Sequence, residues 1–118
     1  MTKYPDTIHF KFHGFNWQLK FLNIQRDEFG ITDTDKKEVH IYYKGHSEQN
    51  VIECVIHELC HVLMFELADS IFKHDAEKPY DLEENTVRLI SPRLFALLRD
   101  NHNLMEFLFK RIKKLDKK

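Results

Sequence analysis

The sequence predicts a small α+β domain in which a mainly antiparallel sheet packs on one central helix. Apolar and polar residues alternate in the segments 8–24 and 38–43, which is the pattern of half-buried strands. From Ser47 onward the apolar residues instead recur at the spacing of an amphipathic helix. The chain has 118 residues, of which 42% are hydrophobic and 31% charged, and this suits one domain spanning residues 1–118.

The first half of the chain supplies the predicted strands. The segment 8–24 breaks at His13-Gly14, which predicts a hairpin or two short strands. Residues 27–37 form a polar cluster around a glycine and are expected to be a turn. The next segment, 38–43, predicts a further strand. If that strand lies at the edge of the sheet, it can hold an extended substrate by strand addition.

A central helix is predicted from Ser47 to about residue 68. Five apolar residues share one of its faces, namely Ile52, Val55, Ile56, Leu59 and Leu63. His57 and His61 lie on the opposite side of the helical wheel. Cys60 borders His61, and we expect it to be buried filler on the flank of the helix and not a metal ligand.

A second helix is predicted after a polar loop at residues 69–80. Asp81 is expected to cap it, with Glu84 as the partner in a capping box. The helix spans about 82–100, and its apolar stripe consists of Val87, Ile90, Leu94 and Leu97. Because the stripe keeps its phase across Pro92, we predict a kink there and not a break.

Charge and composition argue against several classes of function. The formal net charge is -1, so no nucleic-acid partner is expected, although the segment 102–118 is basic and contains an amphipathic helix at 103–115. No apolar run approaches the ~20 residues of a membrane span, and the N-terminus lacks the apolar stretch of a secretory signal. The two cysteines, in one predicted helix, are too far apart for a disulfide. We therefore expect a reduced, cytoplasmic protein that is a monomer.

The central helix carries a motif with the spacing of a zinc site, His57-Glu58-Leu59-Cys60-His61. Histidines at i and i+4 project from the same helix face, so both imidazoles can reach one tetrahedral ion at about 2.0–2.1 Å. Glu58 is rotated about 100° from His57 along the helix. It can therefore miss the metal yet hold the water on it, as a general base must. The alternative interpretation is a surface pair of histidines without a metal.

A catalytic zinc ion needs a third protein ligand as well as an open position. The candidates are Glu83 and Glu84 on the next predicted helix, while a ligand from the loop at 69–80 stays open. Glu84 already has a role as the capping partner of Asp81. Glu83 instead lies in phase with the apolar stripe, where an unpaired carboxylate costs several kcal/mol. Glu83 is therefore the first choice for the ligand, and Glu84 the second.

The order of these segments resembles that of a known family. EVHIYY, a polar linker, VIECVIHELCHVLMFEL, a loop and LEENTVRLISPRLFALLRDN are similar to the small zincin-like metallopeptidases often encoded by phages and prophages. These are minimal gluzincins related in architecture to the ImmA/IrrE and SprT-like groups. The resemblance covers roughly residues 8–101. It implies the zinc ligands His57 and His61, the general base Glu58, and a third ligand at Glu83 or Glu84.

The expected function is hydrolysis of peptide bonds by a zinc-dependent metallopeptidase. Zn²⁺ polarises the substrate carbonyl, and Glu58 takes a proton from the zinc-bound water. The substrate is a peptide or a protein whose identity the sequence does not define. The alternative is a catalytically silent zinc-binding interaction module, such as a phage factor that binds a host protein. In both cases we expect the chain in the cytoplasm of a bacterial or phage-infected cell.

Overall fold

The computed structural model describes residues 4–65 and 79–115, with side chains from residue 84 onward in the second range. In these ranges a group of strands precedes a group of helices along the chain. Their bounds are β1 Thr7–Phe12, β2 Phe15–Leu22, β3 Gly30–Asp33, β4 Glu38–Tyr42, α1 Glu48–Phe65, α2 Pro79–Asp100 and α3 His102–Leu115. The predicted α+β class is confirmed.

The strands form one sheet in the order β1-β2-β4-β3. β1 pairs with β2, and β3 with β4, in antiparallel fashion, whereas β2 and β4 at the centre run parallel. The sheet is therefore mostly antiparallel, as predicted. The idea that the strand at 38–43 is an edge is wrong, because β4 lies between β2 and β3 and the edges are β1 and β3.

The break at His13-Gly14 is a two-residue hairpin turn between β1 and β2. His13 has a φ of 52° and Gly14 a φ of 77°. Positive φ at both central residues is what a type I′ turn requires, and this turn matches the twist of the two strands. The predicted hairpin is confirmed, with Phe12 opposite Phe15 at its end.

β3 lies in a segment that the sequence predicted as a turn, and that prediction is wrong for Gly30–Asp33. The strand is short, and none of its residues is fully buried, so it shows no clear alternation of apolar and polar side chains. It pairs with β4 in a register that places Gly30 opposite Ile41. The pairing with a neighbouring strand, and not local preference, therefore makes this segment extended.

α1 packs on one face of the sheet. Ser47 caps it as predicted, since the Ser47 hydroxyl accepts the N–H of Asn50 at 3.2 Å. The residues of α1 that are buried are Val51, Ile52, Cys54, Val55, Glu58, Leu59, Val62 and Leu63. Ile56 is 44% exposed and was wrongly assigned to the core face, because the buried face is turned toward Cys54 and Glu58. The predicted extension to residue 68 lies outside the described residues.

α2 begins at Pro79, earlier than predicted. Proline is favoured in the first turn of a helix, where its missing N–H has no helical partner anyway. Asp81 is consequently inside the helix, and the predicted capping box with Glu84 is wrong. The helix continues through Pro92, as predicted. The remainder of the predicted loop, 69–78, lies outside the described residues.

The predicted apolar stripe of α2 is buried at only one end. Leu97 is 2% exposed, but Val87 and Leu94 are 53% and 41% exposed. The helix therefore contributes to the core through its C-terminal part. The predicted place of Glu83 on this stripe lies outside the described side chains.

Asn101, between α2 and α3, joins the helices to the outer edge of β1. Its Oδ1 accepts the N–H of Lys11 at 2.7 Å, and its Nδ2 donates to the carbonyls of Lys11 and Leu97 at 2.8 and 2.9 Å. The Nδ2 of Asn103 donates to the carbonyl of His9 at 2.8 Å. These side chains satisfy backbone groups that an edge strand would otherwise leave unpaired.

α3 is amphipathic, as predicted for residues 103–115. Leu104 and Leu108 are buried, and Arg111 Nη1 lies 3.0 Å from Glu48 Oε1 at the start of α1. This ion pair ties the last helix to the central one. Within the described ranges, no helix has the length and apolarity needed to cross a bilayer.

Candidate metal centre

α1 presents His57 and His61 one turn apart on its exposed side. The Nε2 atoms of the two imidazoles are 3.2 Å apart, and the rings are nearly perpendicular at 80°. The pair is open to solvent, with the His57 side chain 68% exposed. The structure therefore brings the two predicted ligands together.

The distance between the two Nε2 atoms fits a tetrahedral zinc ion. Two ligand atoms that each lie about 2.0–2.1 Å from such an ion are about 3.3–3.4 Å from each other. The observed 3.2 Å is close to that value. The same distance also allows a hydrogen bond between the two imidazoles, with one ring as donor and the other as acceptor.

Glu58 adjoins the histidines from the buried side of α1. Its side chain is only 7% exposed, and its Oε2 lies 3.8 Å from the Nε2 of His57. His57, Glu58 and His61 each offer a ligand atom, and these atoms all lie within 4.8 Å of one another. No other group of three such side chains was found among the described residues. The structure therefore brings Glu58 together with the two histidines.

The other oxygen of the Glu58 carboxylate is held by β3. The Thr32 hydroxyl donates to Glu58 Oε1 at 2.7 Å and lies 3.2 Å from the Glu58 carbonyl oxygen. Thr32 was missed from the sequence because its segment was expected to be a turn. The available signal was weak: Gly30 and Thr32 are two residues apart and would share a face only if the segment were a strand.

Gly30 allows β3 to approach α1 closely. A Cβ atom at this position would lie 2.9 Å from the His40 carbonyl oxygen, 3.0 Å from Cys54 Sγ and 3.2 Å from Glu58 Cγ. Carbon atoms in favourable contact are about 3.5–4.0 Å apart. Glycine is therefore the residue that fits without displacement, and the close approach brings Thr32 within hydrogen-bonding distance of Glu58.

Neither predicted third ligand belongs to the group of potential metal ligands that the described side chains form. The side chain of Glu83 lies outside the described residues, as do the loop candidates. Glu84 is described and exposed, and its Oε1 lies 3.5 Å from Arg88 Nη2 in a surface ion pair. Among the described side chains, Glu58 alone joins the histidine pair as a potential ligand.

The two cysteines do not extend the site. Burial, together with the nearby charge of Glu58, raises the pKa of the Cys54 thiol to about 12. Cys54 does not belong to the group of side chains whose ligand atoms lie within 4.8 Å of one another. Cys60 is exposed, so the prediction that it is buried filler is wrong. The reason is again that the buried face of α1 is turned toward Cys54.

A groove runs between β3 and α1, with the histidines near its middle. It consists of two adjoining cavities that share Gly30, His57 and Glu58. Both cavities have mixed linings. One includes Asn50 and Glu53 as well as Phe29, and the other includes Thr32 as well as Met64 and Phe65. An extended ligand in this groove would pass beside Glu58.

Comparison of the chain with family models, with curated proteins and with solved structures found no match. The similarity to zincin-like metallopeptidases therefore rests on the motif residues alone. The functional interpretation depends on the geometry of His57, Glu58, His61 and Thr32.

Proposed function

We propose that this chain is a zinc-dependent peptidase that hydrolyses peptide bonds at the centre formed by His57 and His61. The observation that carries this proposal is the position of the Glu58 carboxylate, with one oxygen bonded to Thr32 and the other beside the histidine pair. Burying a carboxylate costs several kcal/mol unless the group is paired, bonded or near a metal. The position is that of a general base serving an ion between the two histidines.

The side chains divide the proposed reaction between them. Zinc, when bound, would polarise the substrate carbonyl and acidify a water molecule. His57 and His61 hold the ion through Nε2 in their neutral form. Glu58 Oε2 accepts a proton from the attacking water and passes it to the leaving amine. Oε1 stays bonded to Thr32, so the carboxylate keeps its orientation.

A third protein ligand is part of the proposal, with Glu83 as the first choice and Glu84 as the second. Both residues lie in the N-terminal part of α2. The contact between Glu84 and Arg88 is solvent-exposed, with side-chain exposures of 52% and 72%. Because exposed ion pairs are worth only ~0–1 kcal/mol, this contact would not keep Glu84 from a metal ion.

The proposed substrate is an extended peptide that pairs with the edge of β3. The Tyr42 N–H donates to the Phe29 carbonyl at 2.9 Å, so these opposite residues form a hydrogen-bonded pair. Such pairs alternate with non-bonded ones along antiparallel strands. The backbone groups of Gly30 and Thr32 consequently point away from β4, toward the edge of the sheet that no other described strand covers. A peptide added there by strand pairing would lie beside Glu58.

We further propose that the protein is a monomer in the cytoplasm of a bacterial or phage-infected cell and that it has no nucleic-acid partner. Both cysteines are free, which suits a reducing compartment. The formal net charge of -1 offers no general attraction to a polyanion.

Glu58→Gln tests the proposal, because the amide keeps the size and polarity of the side chain but cannot accept the proton. We expect the wild type and Glu58→Gln to bind one zinc per chain, measured by mass spectrometry of protein purified without chelator. Cleavage of a broad peptide library should fall by ~10²–10⁴-fold in the variant. His57→Ala is the matched control and should lose both zinc and cleavage.

The alternative function, a zinc-binding interaction module, predicts a different result. Zinc-loaded wild type would cleave no peptide, and its cellular effect would survive Glu58→Gln but not His57→Ala. That pattern would show that the protein is a zinc-binding interaction module and not a peptidase. Equal cleavage by the wild type and Glu58→Gln would indicate a contaminating protease and would also contradict the proposal.

A further inference from the structure

We propose that Thr32 is a positioning residue, which fixes the Glu58 carboxylate so that Oε2 and not Oε1 faces the ion and the substrate. This inference rests on the proposed function and deepens it, because it assigns part of the site to the edge strand β3. The observation behind it is the 2.7 Å hydrogen bond from the Thr32 hydroxyl to Glu58 Oε1.

The single hydroxyl proton of Thr32 has two acceptors within reach. Glu58 Oε1 is at 2.7 Å and the Glu58 carbonyl oxygen is at 3.2 Å. A hydrogen bond to an ionised carboxylate is shorter and stronger than one to a neutral carbonyl. The proton therefore goes mainly to Oε1, and the carbonyl contact is secondary.

Glu58 depends on this one donor among the described residues. No other described side chain or backbone N–H donates to its carboxylate. His57 Nε2 lies 3.8 Å from Oε2, which is too far for a hydrogen bond. A glutamate has several rotatable bonds, and without the Thr32 bond its carboxylate could turn Oε1 toward the ion or become a metal ligand itself. A displacement of about 1 Å in a reacting group can cost 10²-fold in rate.

Thr32 also belongs to the strand that would pair with the substrate. Its backbone faces the edge of the sheet that no other described strand covers. Its side chain faces α1, since its hydroxyl bonds to Glu58 and a Cβ atom at Gly30, on the same face, would lie 3.2 Å from Glu58 Cγ. A peptide that pairs with this backbone would be anchored to the same residue that orients the base. The attacked carbonyl and Glu58 are thereby fixed relative to each other through Thr32.

Kinetics of three variants test the assignment. Thr32→Val keeps the shape of the side chain but removes the hydroxyl, and Thr32→Ser keeps the hydroxyl. Thr7→Val is the control, because it removes a hydroxyl from β1 at the opposite edge of the sheet. We expect Thr32→Val to lower kcat by ~10–100-fold, with KM within about two-fold of the wild type. Thr32→Ser should restore most of the rate, and Thr7→Val should leave it unchanged. Thr32→Ala replaces the valine variant if that one does not fold.

A double-mutant cycle separates positioning from a general loss of stability. If Thr32 acts through Glu58, Thr32→Val should have no further effect on the residual rate of Glu58→Gln. An unchanged kcat in Thr32→Val, a failure of Thr32→Ser to restore it, or an equal loss in the Glu58→Gln background would each overturn the inference.

A metal spectrum provides a test that does not require turnover. With Co²⁺ in place of zinc, Thr32→Val should change the visible absorption, because the released carboxylate turns onto the ion, whereas Thr32→Ser should match the wild type. If the wild type cleaves no peptide, the proposed peptidase fails, and the Co²⁺ spectra still decide whether Thr32 holds the carboxylate. Identical spectra of the wild type and Thr32→Val would then overturn the inference.

Discussion

Replacing Gly30 with alanine should push a methyl group into the contact between β3 and α1. The new Cβ would lie 2.9 Å from the His40 carbonyl oxygen and 3.0 Å from Cys54 Sγ. The His40 oxygen is part of the neighbouring strand and cannot rotate away. Gly30 does not have a positive φ, so alanine is compatible with the backbone and the cost is steric.

The expected loss of stability is the difference between two effects. Forcing an extra methyl group into a packed contact costs roughly 1–3 kcal/mol. Exchange of glycine for alanine also restricts the unfolded chain, which returns ~0.4–1 kcal/mol. The free energy of unfolding should therefore fall by ~0–2.6 kcal/mol, with a central value of about 1.3 kcal/mol. Because β3 must move away from α1 by roughly half an ångström, the bond from Thr32 to Glu58 lengthens and kcat should fall as well.

Urea unfolding followed by circular dichroism measures the change in stability, and peptide cleavage measures the rate. Gly45→Ala is the control, because Gly45 has a φ of +83° and nothing within 4 Å of the new Cβ. Gly45→Ala should lower the stability through backbone strain alone, and the variant should cleave peptides at the wild-type rate. Adding Cys54→Ala to Gly30→Ala should recover part of the steric cost. A Gly30→Ala protein with wild-type stability and rate would show that β3 does not approach α1 this closely.

Further predictions concern the metal and the thiols. His61→Ala should remove the zinc found by mass spectrometry, and zinc affinity of the wild type should fall as the pH is lowered, because protons compete with the ion for the imidazole nitrogens. Glu83→Gln should lose most of the zinc and Glu84→Gln should keep it; the reverse result would make Glu84 the ligand. At pH 8 a thiol reagent should label Cys60 only, since Cys54 is buried and its pKa is raised to about 12 from an ordinary 9.0. Stability should fall as the pH rises from about 9 to about 12, because the unfolded chain releases the Cys54 proton first, and Cys54→Ala should lack that slope in urea unfolding.

The helical half of the site could be predicted from the sequence because a helix fixes the directions of its side chains. The spacing of His57 and His61 placed both imidazoles on one face, and the structure brings their Nε2 atoms to 3.2 Å. The position of Glu58 was predicted less completely. Its rotation from His57 was correct, but its burial follows from the packing of α1 on the sheet, which helical spacing does not determine.

The strand half of the site could not be predicted because its cause is a tertiary contact. Gly30 and Thr32 become site residues only when β3 pairs with β4 and approaches α1. A four-residue strand with no fully buried residue gives too little periodicity to be recognised. The sequence showed the glycine, but glycine in a polar segment is also the usual sign of a turn.

The start and burial of α2 were predicted wrongly for a related reason. Aspartate and proline are both common at the start of a helix, and α2 begins at Pro79 and not at Asp81. The regular spacing of Val87 and Leu94 showed that one face of α2 is apolar. It did not show whether that face packs against the core or is exposed to solvent. The exposure of both residues is a property of the assembled domain, and it leaves the choice between Glu83 and Glu84 to experiment.

The unequal edges of the sheet limit how copies of the chain could aggregate. Asn101 and Asn103 occupy outward backbone groups of β1, whereas no described residue does so for Gly30 and Thr32 on β3. A growing cross-strand fibre needs two free edges on every molecule, one for each neighbour. A molecule with one free edge can join a single partner through it and then has none left. Self-association by strand pairing should therefore stop at a dimer, and a peptide bound along β3 would prevent even that.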